Sequence, residues 1–440
     1  MPEQTTLPTT NLVELFDESD GKLARTIRTE TKAHRSSRSI PDTFERRSEE
    51  PPSDLWWRLF LQGQPVDFER TQKISTVDLF CGPGGLSLGF REAAAALGMS
   101  VESLLAADTD EAATDIHASN HRTRTLVTDS VDAMVDATIR GVGDEARWLY
   151  EPEVIDDRFE RLVGTVDAVL AGPPCQGHSN LNNKTRRTDT RNELYLSVPA
   201  IAVALEAPIV IIENVPTVVN DHGSVVAAAS RLLLDSGYNV TTHVLSADKM
   251  GWPQTRKRFF LVATKGSGLE LADVERALLR PTRDLEWAIG DLQDSADSGQ
   301  RLDAMPTLNE DSIRRIDWLF DNEAYELINS ERPECHQDGT TYGSVYGRLR
   351  MDRPAQTITT GFMTPGRGRY VHPTRRRTIT PHEAARIQGF PDTYSFQPRT
   401  QDVPAHMRQM GKWIGDAVPA PLGYAAGLAA LMRAGSTVGR

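Results

Sequence analysis

The spacing of hydrophobic and polar positions changes character along this chain of 440 residues. Up to about residue 50, polar residues dominate without a sustained period, and "TETKAHRSSRSIPDTFERRSEEPPSD" reads as flexible. "DLWWRLFLQG" then predicts a short helix docked on the body. From residue 74, short apolar runs alternate with helical periods, the texture of a parallel α/β sheet. The predicted strands are "STVDLF", "VESLLAAD", "TLVTD", "VDAVLAG", "PIVIIEN" and "FFLVAT". Between them "GLSLGFREAAAAL", "DEAATDIHASN", "ELYLSVPAIAVALE" and "SVVAAASRLLLDSG" read as helices. After residue 265 the order weakens, with "WAIGDL" and "IDWLF" as apolar islands among acids and turn residues. "HMRQMGKWIGDAVPAPLGYAAGLAALM" is helical again and is expected to return to the sheet. The expected division is an extension (1–70, partly disordered), a sheet domain (71–265), an irregular domain (266–404) and a C-terminal helical segment (405–440).

Composition adds limits. No run reaches the ~18 apolar residues of a membrane span, and the polar N-terminus has no signal-peptide pattern. Cys81, Cys175 and Cys335 are widely spaced without a CxxC pair. That predicts a reducing cytoplasm, no disulfide framework and no metal site. A net charge of −12 disfavours nucleic acid at first sight. The distribution points the other way, because Arg348 to Arg399 holds ten Arg and no Lys against Asp352, Glu383 and Asp392. A basic strip on an acidic body can hold phosphates; the plainer alternative is a solvated arginine-rich face.

Chemistry collects at the predicted strand ends. After the first strand, Gly82, Gly84 and Gly85 in "DLFCGPGGLSLGF" allow a sharp turn and close approach of a ligand. The pattern is not GxGxxG, so a ligand with one adenosine suits it better than a dinucleotide. At the next two strand ends, Asp108 could accept from ribose hydroxyls and Asp129 from an adenine amino group; either could instead be a helix N-cap. The fourth strand runs into "GPPCQGHSN", where Pro173 and Pro174 stiffen the loop that presents Cys175. An exposed, fixed thiol there would be a strong nucleophile if its thiolate were stabilised. The fifth strand ends in Glu213 and Asn214, a carboxyl placed to donate a proton or hold a substrate ring. In "QTRKRFFLVA", Gln254, Arg256 and Arg258 fall on one face at period two, either as a grip on a polar ring or as the solvent face of an edge strand.

Together these segments resemble the cytosine-C5 DNA methyltransferase family, over about residues 75–430 and with the motifs in the family's order. The resemblance implies an α/β, Rossmann-like S-adenosylmethionine-dependent methyltransferase domain with a smaller, irregular target-recognition domain and hinge at 266–404. "DLFCGPGG" is similar to the cofactor motif, with Phe80 packing on adenine. Asp108, Thr109 and Asp129 match ribose and adenine contacts, and Leu194 in "RNELY" matches a cofactor-contacting Leu. "GPPCQGHS" resembles the catalytic loop, with Cys175 as nucleophile and Pro174 beside the cofactor. "ENV" matches the motif of the catalytic Glu213, and "QTRKR" the motif whose Arg256 and Arg258 reach the flipped base. "RTITPHEAARIQGFPDTYSF" matches the motif before the hinge. "IGDAVP" matches the last motif and assigns Asp416, Ala417 and Val418 to the cofactor. Asp416 stands where the family usually has Asn, which adds a charge there.

The implied reaction methylates C5 of a flipped-out cytosine through a Cys175–C6 adduct, with no metal. The implied partner is double-stranded DNA, contacted by Gln176, Ser179, Gln254, Arg367, Arg369 and Arg375. A monomer is expected, in a restriction-modification or other phage-defence role with a cognate restriction endonuclease that need not be bound. A tRNA cytosine-C5 methyltransferase would typically carry Cys-Phe-Thr, which is absent. A DNA-binding regulator without turnover finds support only in Asp416.

Overall fold

The polar N-terminal stretch, expected to be flexible, folds as an antiparallel meander of β1 (Val13–Ser19), β2 (Lys22–Arg28) and β3 (Ala33–Ser39). The computed structural model describes residues 12–29, 32–174, 194–266, 269–293, 301–337, 344–400 and 405–433. Asp20 (φ 51°) and Gly21 (φ 69°) turn β1 into β2 in the left-handed conformations of a type I′ hairpin. Composition misleads here because several of the charges are interior. Arg25 and Arg38 are buried and share the carboxylate of Glu92, at 2.9 and 2.8 Å. Both guanidiniums lie over the Trp56 ring, 4.4 and 4.8 Å from its centroid. Trp56 belongs to α1 (Pro52–Leu61), whose Leu55, Trp56, Leu59 and Leu61 are all buried. The two-residue β4 (Asp67–Phe68) completes the meander's edge.

The main sheet begins with β5 (Gln72–Leu79), α2 (Gly85–Ala96), β6 (Met99–Ala107), α3 (Glu111–His121) and β7 (Thr125–Val127). Two short antiparallel pairs follow, β8 (Val135–Asp136) with β11 (Glu153–Val154) and β9 (Ile139–Arg140) with β10 (Arg147–Trp148). The one-turn α4 (Asp157–Glu160) leads to β12 (Ala168–Ala171), then α5 (Leu194–Ala204), β13 (Ile209–Asn214), α6 (Val225–Asp235), β14 (Asn239–Ser246) and β15 (Lys257–Thr264). Seven strands pair in the order β14-β15-β13-β12-β5-β6-β7. The run from β13 to β7 is parallel, and all residues of β12 and β13 are buried, as strands covered on both faces require.

Two features differ from the expectation of a wholly parallel sheet. β15 is antiparallel to β13, because only residues 247–256 join β14 to β15, too short for a helical crossover. β14 itself is absent from the predicted strands; at the sheet edge it carries Thr241, Thr242 and His243, so no apolar run marks it. Chain order reverses between β5 and β12. That switch point opens a crevice at the strands' carboxyl ends.

Beyond β15 come α7 (Leu271–Ala277), α8 (Leu285–Ile289), α9 (Glu310–Asp321), β16 (Gly347–Arg348) and β17 (Arg369–Val371). Ile316, Leu319, Leu327, Val345, Tyr346 and Val371 form a small core of their own. In α10 (Pro381–Gln388) the "TITPHEAARIQG" sequence acts locally: Thr380 and Glu383 form a capping box and Gly389 (φ 89°) ends the helix. The chain closes with α11 (Met407–Asp416) and α12 (Ala420–Arg433). Residues 407–432 are long and apolar enough to span a membrane, yet 94% of the 18-residue apolar window within them is buried inside the fold. α12 lies directly on α2: a Cβ on Gly89 would meet the Ala420 carbonyl oxygen at 2.2 Å. Glycine is required there by backbone-to-backbone approach.

Candidate active site

At the end of β5 the chain makes a turn that few residues tolerate. Phe80 (φ 52°), Gly82 (φ 49°) and Gly84 (φ 95°) are all left-handed, and for a bulky Phe this costs roughly 1–3 kcal/mol. Gly85, the first residue of α2, sits under the Val418 carbonyl, where a Cβ would lie 2.2 Å from the oxygen. Phe80, Gly82 and Gly85 therefore line a tight cleft of about 290 Å³ with the β6 end. Asp108 accepts one backbone N–H on each oxygen, from Gly82 and Asp110, both at 2.9 Å. Each oxygen keeps a lone pair for a ligand. Burial raises the Asp108 pKa, against these two hydrogen bonds. Thr109 lines the same wall.

The β12 end brings Gly172, Pro173 and Pro174 to the cleft. Asn214, at the end of β13, donates from Nδ2 to the Pro173 carbonyl at 3.2 Å and so pins this stem. Cys175, Gln176 and Ser179 lie outside the described residues. Glu213 faces the cleft from β13, buried, its Oε1 2.8 Å from Arg258 Nε on β15. Burial raises the Glu213 pKa, with Arg258 and then Arg256 pulling the other way.

α11 forms the remaining wall, with Asp416, Ala417 and Val418 all at the cleft. It also supplies two residues that the motifs do not single out. Trp413 Nε1 donates to Asp110 Oδ2 at 3.1 Å, and Lys412 Nζ lies 3.3 Å from the same oxygen. Lys412 is also 3.7 Å from Asp416, one helical turn away. Burial raises the Asp416 pKa and Lys412 opposes it, so the charge at this departure from the family pattern has a local counter-ion. The i,i+4 Lys–Asp spacing is the signal in the sequence that points to it.

Several candidates stand elsewhere. Arg256 is buried away from the cleft lining, donating from Nη1 to the carbonyls of Ile358 (2.6 Å) and Gly415 (3.1 Å). These bonds tie the chain leading into β15 to α11, and the Arg256 charge still reaches the cleft, where it lowers the pKa of Glu213 and Asp416. Gln254 is fully buried, donating to Ile387 O and Gln388 Oε1 and accepting from Ile358 N. Its amide is consumed internally, which corrects the expected DNA contact. Gly84 turns away from the cleft, toward His121 and Tyr394. Asp129 is outside the cleft lining and pairs with Arg158 at 2.8 Å, and Leu194 lines a separate groove beside Val225.

The arginine strip also changes meaning in three dimensions. Arg369 pairs with Glu326, Arg376 with Asp317 and Asp321, and Arg386 with Asp291 and Asp392. Most of these acids lie outside the Arg348–Arg399 window, so its positive excess is largely neutralised within the fold. Arg369, half-buried against Tyr325 O and Arg348 O, is thereby a structural residue rather than a phosphate contact. Arg367 and Arg375 are exposed, and Arg375 Nε reaches Gln293 O at 3.4 Å. The other thiols offer no nucleophile at this site. Burial, then Asp108, pushes the Cys81 thiol well up, and Cys335 is exposed between α9 and β16.

A seven-stranded sheet with a reversed strand beside β13 and a cleft at its switch point defines a Rossmann-like methyltransferase. The chain is a member of the C-5 cytosine-specific DNA methylase family, whose model matches residues 74–430, and its activity is DNA cytosine-5 methylation. It is 38% identical over 390 residues to the Type II methyltransferase M1.BsuMI of Bacillus subtilis, covering 88% of this chain and 86% of that protein. It is 31% identical over 364 residues to the Type II methylase M.HgiDII of Herpetosiphon aurantiacus, covering 79% and 92%. Among solved structures, the S. pombe Dnmt2 methyltransferase shares the fold at a TM-score of 0.53 and 14% identity, over 81% of this chain and 98% of that one.

Proposed function

We propose that this protein modifies cytosine in a specific duplex sequence, with S-adenosylmethionine as methyl donor, as the methylating half of a restriction-modification system. The observation that carries the reading is the buried Glu213–Arg258 pair, 2.8 Å apart, beside the pinned Pro173–Pro174 stem that leads to Cys175. The cleft suits a cationic adenosyl ligand. Its carboxylates Asp78, Asp108, Asp110, Glu213 and Asp416 outnumber the cations Arg258 and Lys412, and Phe80, Pro174 and Val418 offer apolar faces. When bound, the cofactor supplies an electrophilic methyl group for C5. Asp108 and Thr109 hold the ribose side, while Ala417 and Val418 close over the glycine turn. Asp129, after β7, and Leu194, at the start of α5, lie outside this lining.

The target base leaves the stack at a cost of roughly a few kcal/mol. The Cys175 thiolate adds to C6, which makes C5 nucleophilic. Glu213 holds the proton at N3 that this addition requires, and Arg258 fixes the carboxyl's orientation. Once C5 carries the methyl group, its proton passes to solvent, the Cys175–C6 bond breaks as C5=C6 re-forms, and N3 returns its proton to Glu213. Gln176 and Ser179 are assigned to the strand around the vacated position. The smaller domain, 266–404, reads the sequence, with Arg367 and Arg375 exposed to phosphates. Residues 71–265 and 405–440 hold the chemistry. The protein acts as a monomer in the cytoplasm, and its cognate endonuclease acts separately. The Type II designations of its relatives favour this setting over an RNA substrate.

Glu213→Gln keeps the shape but cannot transfer a proton, and methyl transfer is expected to fall about 10²–10⁴-fold. Because the Glu213 pKa is raised, its protonated form survives to higher pH and is lost as pH rises through that value. The wild-type rate should therefore decline along an alkaline limb that the Gln variant lacks; a shared limb in methyl-transfer rates against pH would refute the role. The proposed function as a whole is tested by base-resolution 5-methylcytosine mapping of plasmid DNA from expressing cells. Methylation confined to one short sequence is expected. Unmodified DNA alongside methylated RNA would overturn it.

A further inference from the structure

Outside the methylation cleft, a second concavity of about 680 Å³ lies between the N-terminal module and the α2–β6–α3 layer. One wall is Phe60, residues 63–66, Phe68 and Arg70, all of which precede the family match at residue 74. Five arginines line it, and they divide into two kinds. Arg38 and Arg124 are paired with Glu92 and Glu102, carboxylates that they share with Arg25 and Lys73. Arg70, Arg91 and Arg122 have no carboxylate partner among the described residues, and Arg70 and Arg122 are exposed. Three guanidiniums without a carboxylate partner among the described residues thus line one concave site. Burial lowers the Arg91 pKa and the neighbouring Arg122 charge lowers it further, against Tyr394. A bound anion would relieve both.

The same cleft connects to the glycine turn of the active site. Arg91 Nη1 lies 3.4 Å from His121 Nδ1 and can only donate. His121 therefore carries its proton on Nε2, which is 3.1 Å from Gly84 O and 3.0 Å from the Tyr394 hydroxyl. Tyr394 in turn donates to the Pro83 carbonyl. Burial, with His117 and Arg91 nearby, holds the His121 pKa well below the usual range, so this ring stays neutral and keeps that tautomer. Two carbonyls of the turn that leads from Phe80 to Gly85 thus hang on groups lining the arginine cleft.

We propose that this cleft is a regulatory site for a small phosphoryl anion, bound by Arg70, Arg91 and Arg122 and coupled through His121 and Tyr394 to the cofactor turn. Guanidiniums match phosphoryl oxygens in bidentate geometry, and the volume lies within the ~300–1,000 Å³ of small-ligand sites. A concave site of this size favours a discrete anion over a duplex backbone.

The test uses inorganic pyrophosphate, which has no adenosine and so does not compete for the methylation cleft. At low ionic strength and saturating pyrophosphate, the full chain should gain roughly 2–4 °C in melting temperature. The double variant Arg70→Ala/Arg122→Ala, changed only at exposed positions, should fold normally and show no gain. An equal gain in both proteins, or none in the wild type, overturns the site. If the variant instead loses duplex DNA affinity while pyrophosphate has no effect, the arginines serve the DNA backbone and the proposal fails. Coupling is read separately, as a several-fold change in S-adenosylhomocysteine affinity on adding pyrophosphate to the wild type. This arm alone rests on the proposed cofactor; an unchanged affinity with pyrophosphate bound overturns the coupling. The melting shift stands whatever the methylation assay returns.

Discussion

Cys175→Ala should abolish methyl transfer, by ~10⁴-fold or more, while leaving the fold and DNA affinity close to wild type. C5 of cytosine is a poor nucleophile until a group adds at C6, and no other described thiol can take the place of Cys175. Cys81 lies within the cleft's glycine turn, yet burial keeps its thiol protonated. Cys335 is exposed in the segment between α9 and β16. Transfer of labelled methyl groups to DNA measures the effect, with gel-shift binding as the control for folding. A second readout isolates chemistry from binding. DNA carrying 5-fluorocytosine at the target cannot lose a C5 proton, so the wild type should form a denaturant-resistant complex. The alanine variant should form none. Persistent methylation or persistent trapping in the variant would remove Cys175 from the mechanism. Cys81→Ala, by contrast, should remain active.

The largest stability effect is expected far from the chemistry, at Glu92. Its one carboxylate compensates two buried guanidiniums, Arg25 and Arg38, and anchors the N-terminal meander to α2. Burial alone would raise the Glu92 pKa, but Arg38 and Arg25 outweigh it and hold the group ionised. Glu92→Ala leaves two buried cations with no counter-charge, so a loss of about 3–5 kcal/mol is expected. Denaturant titration measures it. A loss under ~1 kcal/mol would mean that water reaches the guanidiniums or that the module detaches without consequence for the body. Replacing the trio together, Arg25→Met, Arg38→Leu and Glu92→Leu, should lose far less, because no uncompensated charge remains. The sign with pH follows from the lowered pKa: the contribution is complete above the ordinary glutamate range and is lost as pH falls through the depressed value.

Both effects bear on how much of the molecule is written locally. Strands β12 and β13 are legible because nearly every residue is apolar and all are buried, and α10 because Thr380, Pro381, Glu383 and Gly389 cap it within one short stretch. The strand-end residues Phe80, Asp108 and Glu213 are legible because parallel strands deliver their carboxyl ends to one edge, so order along the chain becomes proximity in space. The meander is not legible in the same way although "SDGK" carries a type I′ turn signal, since its charged residues are stabilised by a glutamate 54 and 67 positions away.

Sequence alone determined the periodic elements, the glycine turn and the chemical character of the strand ends, because those depend on neighbours a few residues apart. Tertiary structure alone decided which polar groups remain available. Gln254 is held by Ile387 O and Gln388, Arg256 holds two backbone carbonyls, Arg369, Arg376, Arg386 and Arg399 of the strip pair with acids from other segments, and Arg70, Arg91 and Arg122 have no carboxylate partner among the described residues. Charge and hydrogen-bond partners are settled by distance in space, and a one-dimensional count cannot register a partner that folding brings from elsewhere.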